Sequence, residues 1–302
     1  MDTGTTKVKR ASRRGLWLIG LGSVFFGFTG VTSKTLYART EITSLGVSWL
    51  RMVVAAVALL VLMLHRSGKL PQPRSARDWF LLLALGLSVA GYQVTFFGGI
   101  QRSTVTTVTL IAMCTAPVIV ALLAPLFLGE RVTWAMWVAL ACAVAGTALL
   151  VQSGERASLS SAYLVGNLLA LGSAFSYASF MLLSKIAVDW LGTLAIIMVA
   201  FCVAAVLLAP VAVGDVLAAG LGWVDWLYIL WLGLGATALA YGLLVAGMPY
   251  ASATAASIVT LLEPLTATIL ASVFFQERLG ATGLVGAALL LAGMLVLYQR
   301  GG

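Results

Sequence analysis

Along the chain, apolar stretches of about 20 residues alternate with short polar breaks. A stretch of that length crosses a ~30 Å hydrocarbon core as a helix, which satisfies its own backbone polar groups where no water can. The pattern predicts ten spans: Gly15 to Tyr37, Ser44 to Leu64, Trp79 to Ile100, Ser103 to Leu128, Thr133 to Val151, Ala162 to Lys185, Leu191 to Val213, Trp223 to Met248, Ala251 to Phe275 and Leu279 to Tyr298. The expected fold class is therefore all-α and integral to the membrane, with lipid as a partner. The opening "KVKRASRRGLWLIGLGSVFFG" has the charge and apolar run of a signal peptide, and "SRRGLWL" resembles a twin-arginine signal. No small-x-small cleavage site follows, so it reads as an uncleaved first helix.

Composition narrows the function classes. With 61% hydrophobic and 9% charged residues, against roughly 25% charged in soluble domains, no catalytic or nucleic-acid module has room to fold. The net charge of +8 is explained by topology instead. Lys7, Lys9, Arg10, Arg13, Arg14, Arg66, Lys69, Arg74, Arg77, Arg131, Lys185 and Arg300 fall on the side shared by both termini and the even-numbered connections. The opposite side carries Lys34, Arg39, Arg102, Arg156 and Arg278, together with Asp215 and, near the end of that acidic loop, Asp225. Both termini are expected to be cytoplasmic. Cys114, Cys142 and Cys202 lie within apolar stretches and His65 is the single histidine, so neither a disulfide framework nor a metal site is expected, and no cofactor.

A shift of 147 positions superposes the halves: Pro117 meets Pro264, Leu123 meets Leu270, Phe127 meets Phe274, Glu130 meets Glu277, Arg131 meets Arg278, and Gly146 meets Gly293. At a slightly different offset, Ser33 and Lys34 meet Ser184 and Lys185. The expected organisation is a basic tail over residues 1–14, a first repeat over 15–151 and a second over 162–298. Each repeat holds five spans, an odd number, so the second enters the membrane from the opposite face. Two inverted five-helix repeats around a central cavity are a transporter architecture, and their rocking gives alternating access.

The motifs "FFGFTGVTSK", "WLRM", "TAPVIVALLAPLFLGER", "LGATALAYGLLVAGMPYASATAAS" and "LLEPLTATILASVFFQER" resemble the drug/metabolite transporter superfamily, specifically its EamA-type ten-helix members. In each repeat a proline precedes Glu-Arg by thirteen residues, and the likeness covers nearly the whole chain. In general character it is similar to the YddG-type aromatic amino-acid exporters. The resemblance implies a cavity lined by the third, fourth, eighth and ninth helices and flanked by the first and sixth. It also implies export of a small molecule, an amino acid or related metabolite, from a bacterial inner membrane. Lipophilic-cation efflux is the alternative, weakened because the first helix lacks the acid that small cation exporters of this superfamily carry.

Several residues bear on that function. Pro117 and Pro264 are expected to release the carbonyls of Met113 and Thr260, giving each repeat one kinked helix that either flexes or merely packs. Glu263 lies near mid-span and its repeat counterpart is the neutral Ala116. It is either a proton-coupling group or a hydrogen-bonded structural carboxyl. Arg51, about two turns into its span, either receives a substrate carboxylate or pairs with protein oxygens, and the second reading is favoured. Lys34 and Lys185 are read as interfacial anchors at helix ends, and Glu130–Arg131 with Glu277–Arg278 as solvated turns. Phe26, Tyr92, Phe96, Met113, Tyr177, Phe180, Tyr241 and Thr260 are the substrate-cavity candidates, suited to a largely apolar substrate with one polar end. Nucleotide sugars and triose phosphates are disfavoured, since such anions need several Arg or Lys donors. Ala141 with Ala145 and Ala288 with Ala292 make small-residue faces that pack within the bundle or between protomers, and a monomer is the favoured state.

Overall fold

The computed structural model describes residues 13–67, 73, 75–152, 163–276 and 280–300. The N-terminal tail up to residue 12, the first residues of the sixth and tenth expected spans, and the Glu277–Arg278 turn lie outside the described residues. Ten helical spans are long and apolar enough to cross a membrane. The first six are single α-helices: α1 (Arg13–Tyr37), α2 (Ser44–Ser67), α3 (Ala76–Ile100), α4 (Val105–Leu128), α5 (Trp134–Gln152) and α6 (Leu164–Leu191). Gly192 alone, at a φ of 76°, joins α6 to the single helix α7 (Thr193–Ala218), a left-handed backbone conformation that glycine adopts without strain.

The eighth and ninth spans are less regular. The eighth consists of α8 (Trp223–Gly233), a π-helical segment (Leu234–Leu239), α9 (Ala240–Gly247) and a closing 3₁₀ turn (Met248–Tyr250). The ninth is split into α10 (Ala253–Val259) and α11 (Leu262–Phe275), and α12 (Ala281–Arg300) forms the tenth. Helix starts are set locally. Ser75 and Asp78 form a reciprocal capping box at α3, while Thr104 caps α4 and Ser252 caps α10. Trp17, Leu126, Val206, Leu217 and Leu284 project from the outside of the bundle, the solvent-facing arrangement a lipid environment permits.

The packing reproduces itself when spans one to five are exchanged with six to ten. Helix α3 on α6 matches the eighth span on α1, α4 on α6 matches the ninth span on α1, and α3 on α7 matches the eighth span on α2. The pairs α2–α7 and α5–α12 map onto themselves and so straddle the axis. At α5–α12 the approach is backbone to backbone. A Cβ on Gly146 would stand 2.6 Å from the Gly286 carbonyl oxygen, and in the symmetry-related contact a Cβ on Gly293 would stand 2.8 Å from that of Ala139. The small residues singled out by four-residue spacing are one helical face away: Ala141, Ala145, Ala288 and Ala292 are exposed, and the intramolecular contact uses Ala139, Ala143, Gly146, Gly286 and Gly293 instead. Across the other axial pair, the Trp49 indole donates to the Ala205 carbonyl at 2.8 Å.

Candidate functional site

Between the repeats lies a cavity of about 340 Å³, within the ~300–1,000 Å³ range of small-molecule sites. Its wall is aromatic. Phe26 of α1, Tyr92, Phe96 and Phe97 of α3, Tyr177 of α6 and Tyr241 of α9 all border it. Tyr241 is held by three edge-to-face rings, Phe26 at 4.8 Å, Phe201 at 5.1 Å and Phe180 at 5.4 Å between centroids. Tyr92 stacks on Phe96 at 5.4 Å and meets Tyr177 at 6.0 Å.

One basic and one acidic side chain border this cavity, Arg51 of α2 and Glu263 of α11. No ion pair joins them among the described residues. The Arg51 Nε atom is buried without a hydrogen-bond partner. Sequence reasoning favoured pairing of Arg51 with protein oxygens, and at this nitrogen that pairing is absent. A smaller recess of about 40 Å³, bordered by Tyr92, Met113, Pro117, Tyr177, Thr260 and Pro264, adjoins it.

Most candidate residues thus meet in one place, with two exceptions. Phe180 is fully buried behind Tyr241 and supports the wall without forming it. Lys34 lies in the last turn of α1, where its ammonium is 4.2 Å from the centre of the Phe275 ring. The cavity also draws on helices outside the expected set, since α2 contributes Arg51 and Ser48 and α5 contributes Val151. Gln93, only 1% exposed and bordering the cavity, was missed. Its signal was present in "GYQVTFFGG", where an amide sits among rings at mid-span depth.

The proline positions differ between repeats. Pro117 lies inside an unbroken α4, whereas Pro264 is the third residue of α11, where an amide hydrogen would have had no helical partner anyway. The Thr260 carbonyl, expected to be exposed, accepts the Glu263 N–H at 3.0 Å. Breaking the ninth span at Thr260 and Leu261 removes the clash that a continuous helix would force, and it places Glu263 in the first turn of α11 at the cavity edge.

The two ends of the cavity are unlike. Toward the odd-numbered connections, Phe97 is shared with a vestibule of about 780 Å³ bordered by Thr40, Thr43, Gln101 and Asp215. There the Thr43 amide and hydroxyl donate to Asp215 at 3.1 and 2.6 Å, and Arg39 Nε donates to Asp225 at 2.8 Å. That hydrogen bond and the Asp225 charge raise the Arg39 pKa from its ordinary value. Both contacts fasten the α1–α2 connection to the second repeat.

Toward the even-numbered connections, two charged side chains hold the connection between the eighth and ninth spans. The Glu130 carboxylate accepts the Ala253 N–H at 2.7 and 3.0 Å, capping α10 from the first repeat, and is therefore not a merely solvated turn residue. The Lys185 ammonium donates to the carbonyls of Met248 and, at 2.7 Å, Ala251. Helix α6 continues six residues past Lys185 to Leu191, so this lysine is interior to its helix and not at an end.

A cavity between exchange-related halves, adjoining a vestibule on one side and latched on the other, is the geometry of a membrane transporter. The EamA-like transporter family model matches residues 13–152 and again 164–299, and the chain belongs to that family. It is 31% identical over 287 residues to the uncharacterized transporter YwfM of Bacillus subtilis (strain 168), covering 92% of this chain and 91% of that one. It is 30% identical over 271 residues to a protein of Streptantibioticus cattleyicolor described as a probable terminal-alkyne amino-acid exporter, covering 84% of each. A solved crystal structure superposes with a TM-score of 0.80 at 19% identity over 95% of this chain and 98% of its own, a likeness of fold.

Proposed function

We propose that this transporter exports amino acids with largely apolar side chains across a bacterial inner membrane, by alternating access between its two repeats. It is not an enzyme on this reading, and both termini are cytoplasmic. The observation that carries the proposal is the aromatic cavity with one basic and one acidic residue, adjoining the odd-side vestibule at Phe97 and faced on the even side by the Glu130 and Lys185 contacts. If the odd side is extracytoplasmic, as the basic-residue bias supports, the structure corresponds to an outward-facing state. The relative from Streptantibioticus cattleyicolor supports the substrate class, because an alkyne-bearing amino acid also joins a polar head to an apolar side chain.

Counterflow in liposomes containing purified protein tests this reading, with labelled phenylalanine, threonine and a lipophilic cation compared with and without a pH gradient. Protein-dependent exchange of phenylalanine is expected. Exchange of the cation alone would transfer the protein to lipophilic-cation efflux.

A further inference from the structure

The cavity combines two features that its aromatic lining does not explain. Two buried donors, Arg51 Nε and Gln93 Nε2, have no hydrogen-bond partner, although a buried donor left unsatisfied is costly and usually marks a missing water or ligand. Gln93 is also almost wholly buried. Both come from the first repeat, on α2 and α3, and both side chains border the same space. Glu263, the single acid on that lining, comes from the second repeat.

We propose that the cavity recognises the intact zwitterionic head of its substrate: Arg51 and Gln93 take the carboxylate, Glu263 takes the ammonium, and the rings around Tyr92 and Tyr241 receive the side chain. A guanidinium presents a planar fork that matches a carboxylate, and a neighbouring amide N–H extends the same set of donors. The two opposite charges also discriminate by exclusion. A substrate lacking the amine leaves its carboxylate facing Glu263 with no cation of its own, and one lacking the carboxylate brings a second cation to Arg51. Ser48, one turn before Arg51 and on the same cavity wall, adds a hydroxyl on the carboxylate side. Because the two halves of the head are held by different repeats, a bound zwitterion bridges them, which neither fragment does.

This proposal rests on the amino-acid reading above. Its test is equilibrium binding to purified protein in nanodiscs, using L-phenylalanine, L-leucine, 3-phenylpropionate and 2-phenylethylamine. Wild type is expected to bind both amino acids and to bind each truncated probe at least tenfold more weakly than phenylalanine. Arg51→Met and Gln93→Leu should reduce the preference for phenylalanine over phenylethylamine, whereas Glu263→Gln should reduce the preference over phenylpropionate. Size-exclusion profile and melting temperature establish that each variant is folded, and Arg51→Lys, which keeps charge without the fork, should retain part of the discrimination. Equal binding of phenylalanine and either truncated probe by wild type overturns the head-group assignment while leaving amino-acid binding standing. Wild type that binds the amine alone, or no amino acid at all, overturns both.

Discussion

The Glu130 carboxylate, on the connection between α4 and α5, accepts the backbone N–H of Ala253, 123 positions later, at 2.7 and 3.0 Å and that of Thr254 at 3.4 Å. Its charge therefore sits at the N-terminus of α10, where unpaired amides and the helix dipole favour an anion. Lys185 makes the complementary contact one step earlier, donating to the carbonyls that end the eighth span. Together they tie the connection between the eighth and ninth spans to the α4–α5 connection and to α6.

The Glu130 contact joins the two repeats and must break for them to part on the even side, whereas the Lys185 contact lies within the second repeat. Hydrogen bonds to charged groups contribute about 1.5–3 kcal/mol, so Glu130→Ala should raise the even-side-open population by about tenfold or more. Lys185→Met should shift it less. Spin labels at Arg131 and Tyr250, both exposed, should show a longer distance component in the Glu130→Ala variant. Distance distributions indistinguishable from the parent would remove Glu130 from the closing mechanism.

The α5–α12 contact makes a separate prediction about stability. Gly146 and Gly286 each place the Cα hydrogen against the other's backbone, and a Cβ on Gly286 would lie 2.7 Å from the Gly146 carbonyl oxygen. Gly286→Val should lower the melting temperature of purified protein sharply, since backbone has no rotamer by which to yield. Ala145→Val, on the exposed face of α5, should change it little. Equal effects at the two positions would contradict the packing described.

The ten spans and the paired repeats were legible because lipid imposes length and apolarity on every span, and the repeat retains its prolines and Glu-Arg turns at a fixed offset. The gathering of Tyr92, Tyr177, Tyr241, Arg51 and Glu263 around one cavity followed from choosing polar or aromatic residues on inward spans of both halves. The latches were not legible. Hydropathy reports the depth of a charge such as Glu130 or Lys185, but not which backbone it meets across the bundle, so both read as ordinary interfacial residues. Nor does a proline say which residue before it leaves the helix. The break at Thr260 and Leu261 puts Pro264 in a first turn, while Pro117 is accommodated inside α4.

That difference between the prolines bears on turnover. Pro117→Ala and Pro264→Ala should both slow counterflow more than they weaken binding, and the second should slow it more, because an alanine there permits the ninth span to become continuous and regain a helical hydrogen bond. Initial rates at saturating substrate, set beside binding isotherms, separate the two effects. Weaker binding with unchanged turnover would mean that these prolines shape the cavity and do not flex.

Glu263 remains the candidate for coupling to protons, and its place on the cavity wall gives the test a definite form. A carboxyl at the edge of a substrate cavity in a membrane is a costly group unless it exchanges protons or binds a ligand. If it carries the proton, Glu263→Gln fixes it in the neutral state. Transport at saturating substrate should then lose its response to an imposed pH gradient, while exchange without a gradient continues at a raised KM. Saturation separates the two consequences, since a weaker hold on the ammonium alters KM and a lost proton site alters the gradient response. A variant that still accelerates with the gradient as the parent does would assign the proton to another group and leave Glu263 with recognition alone.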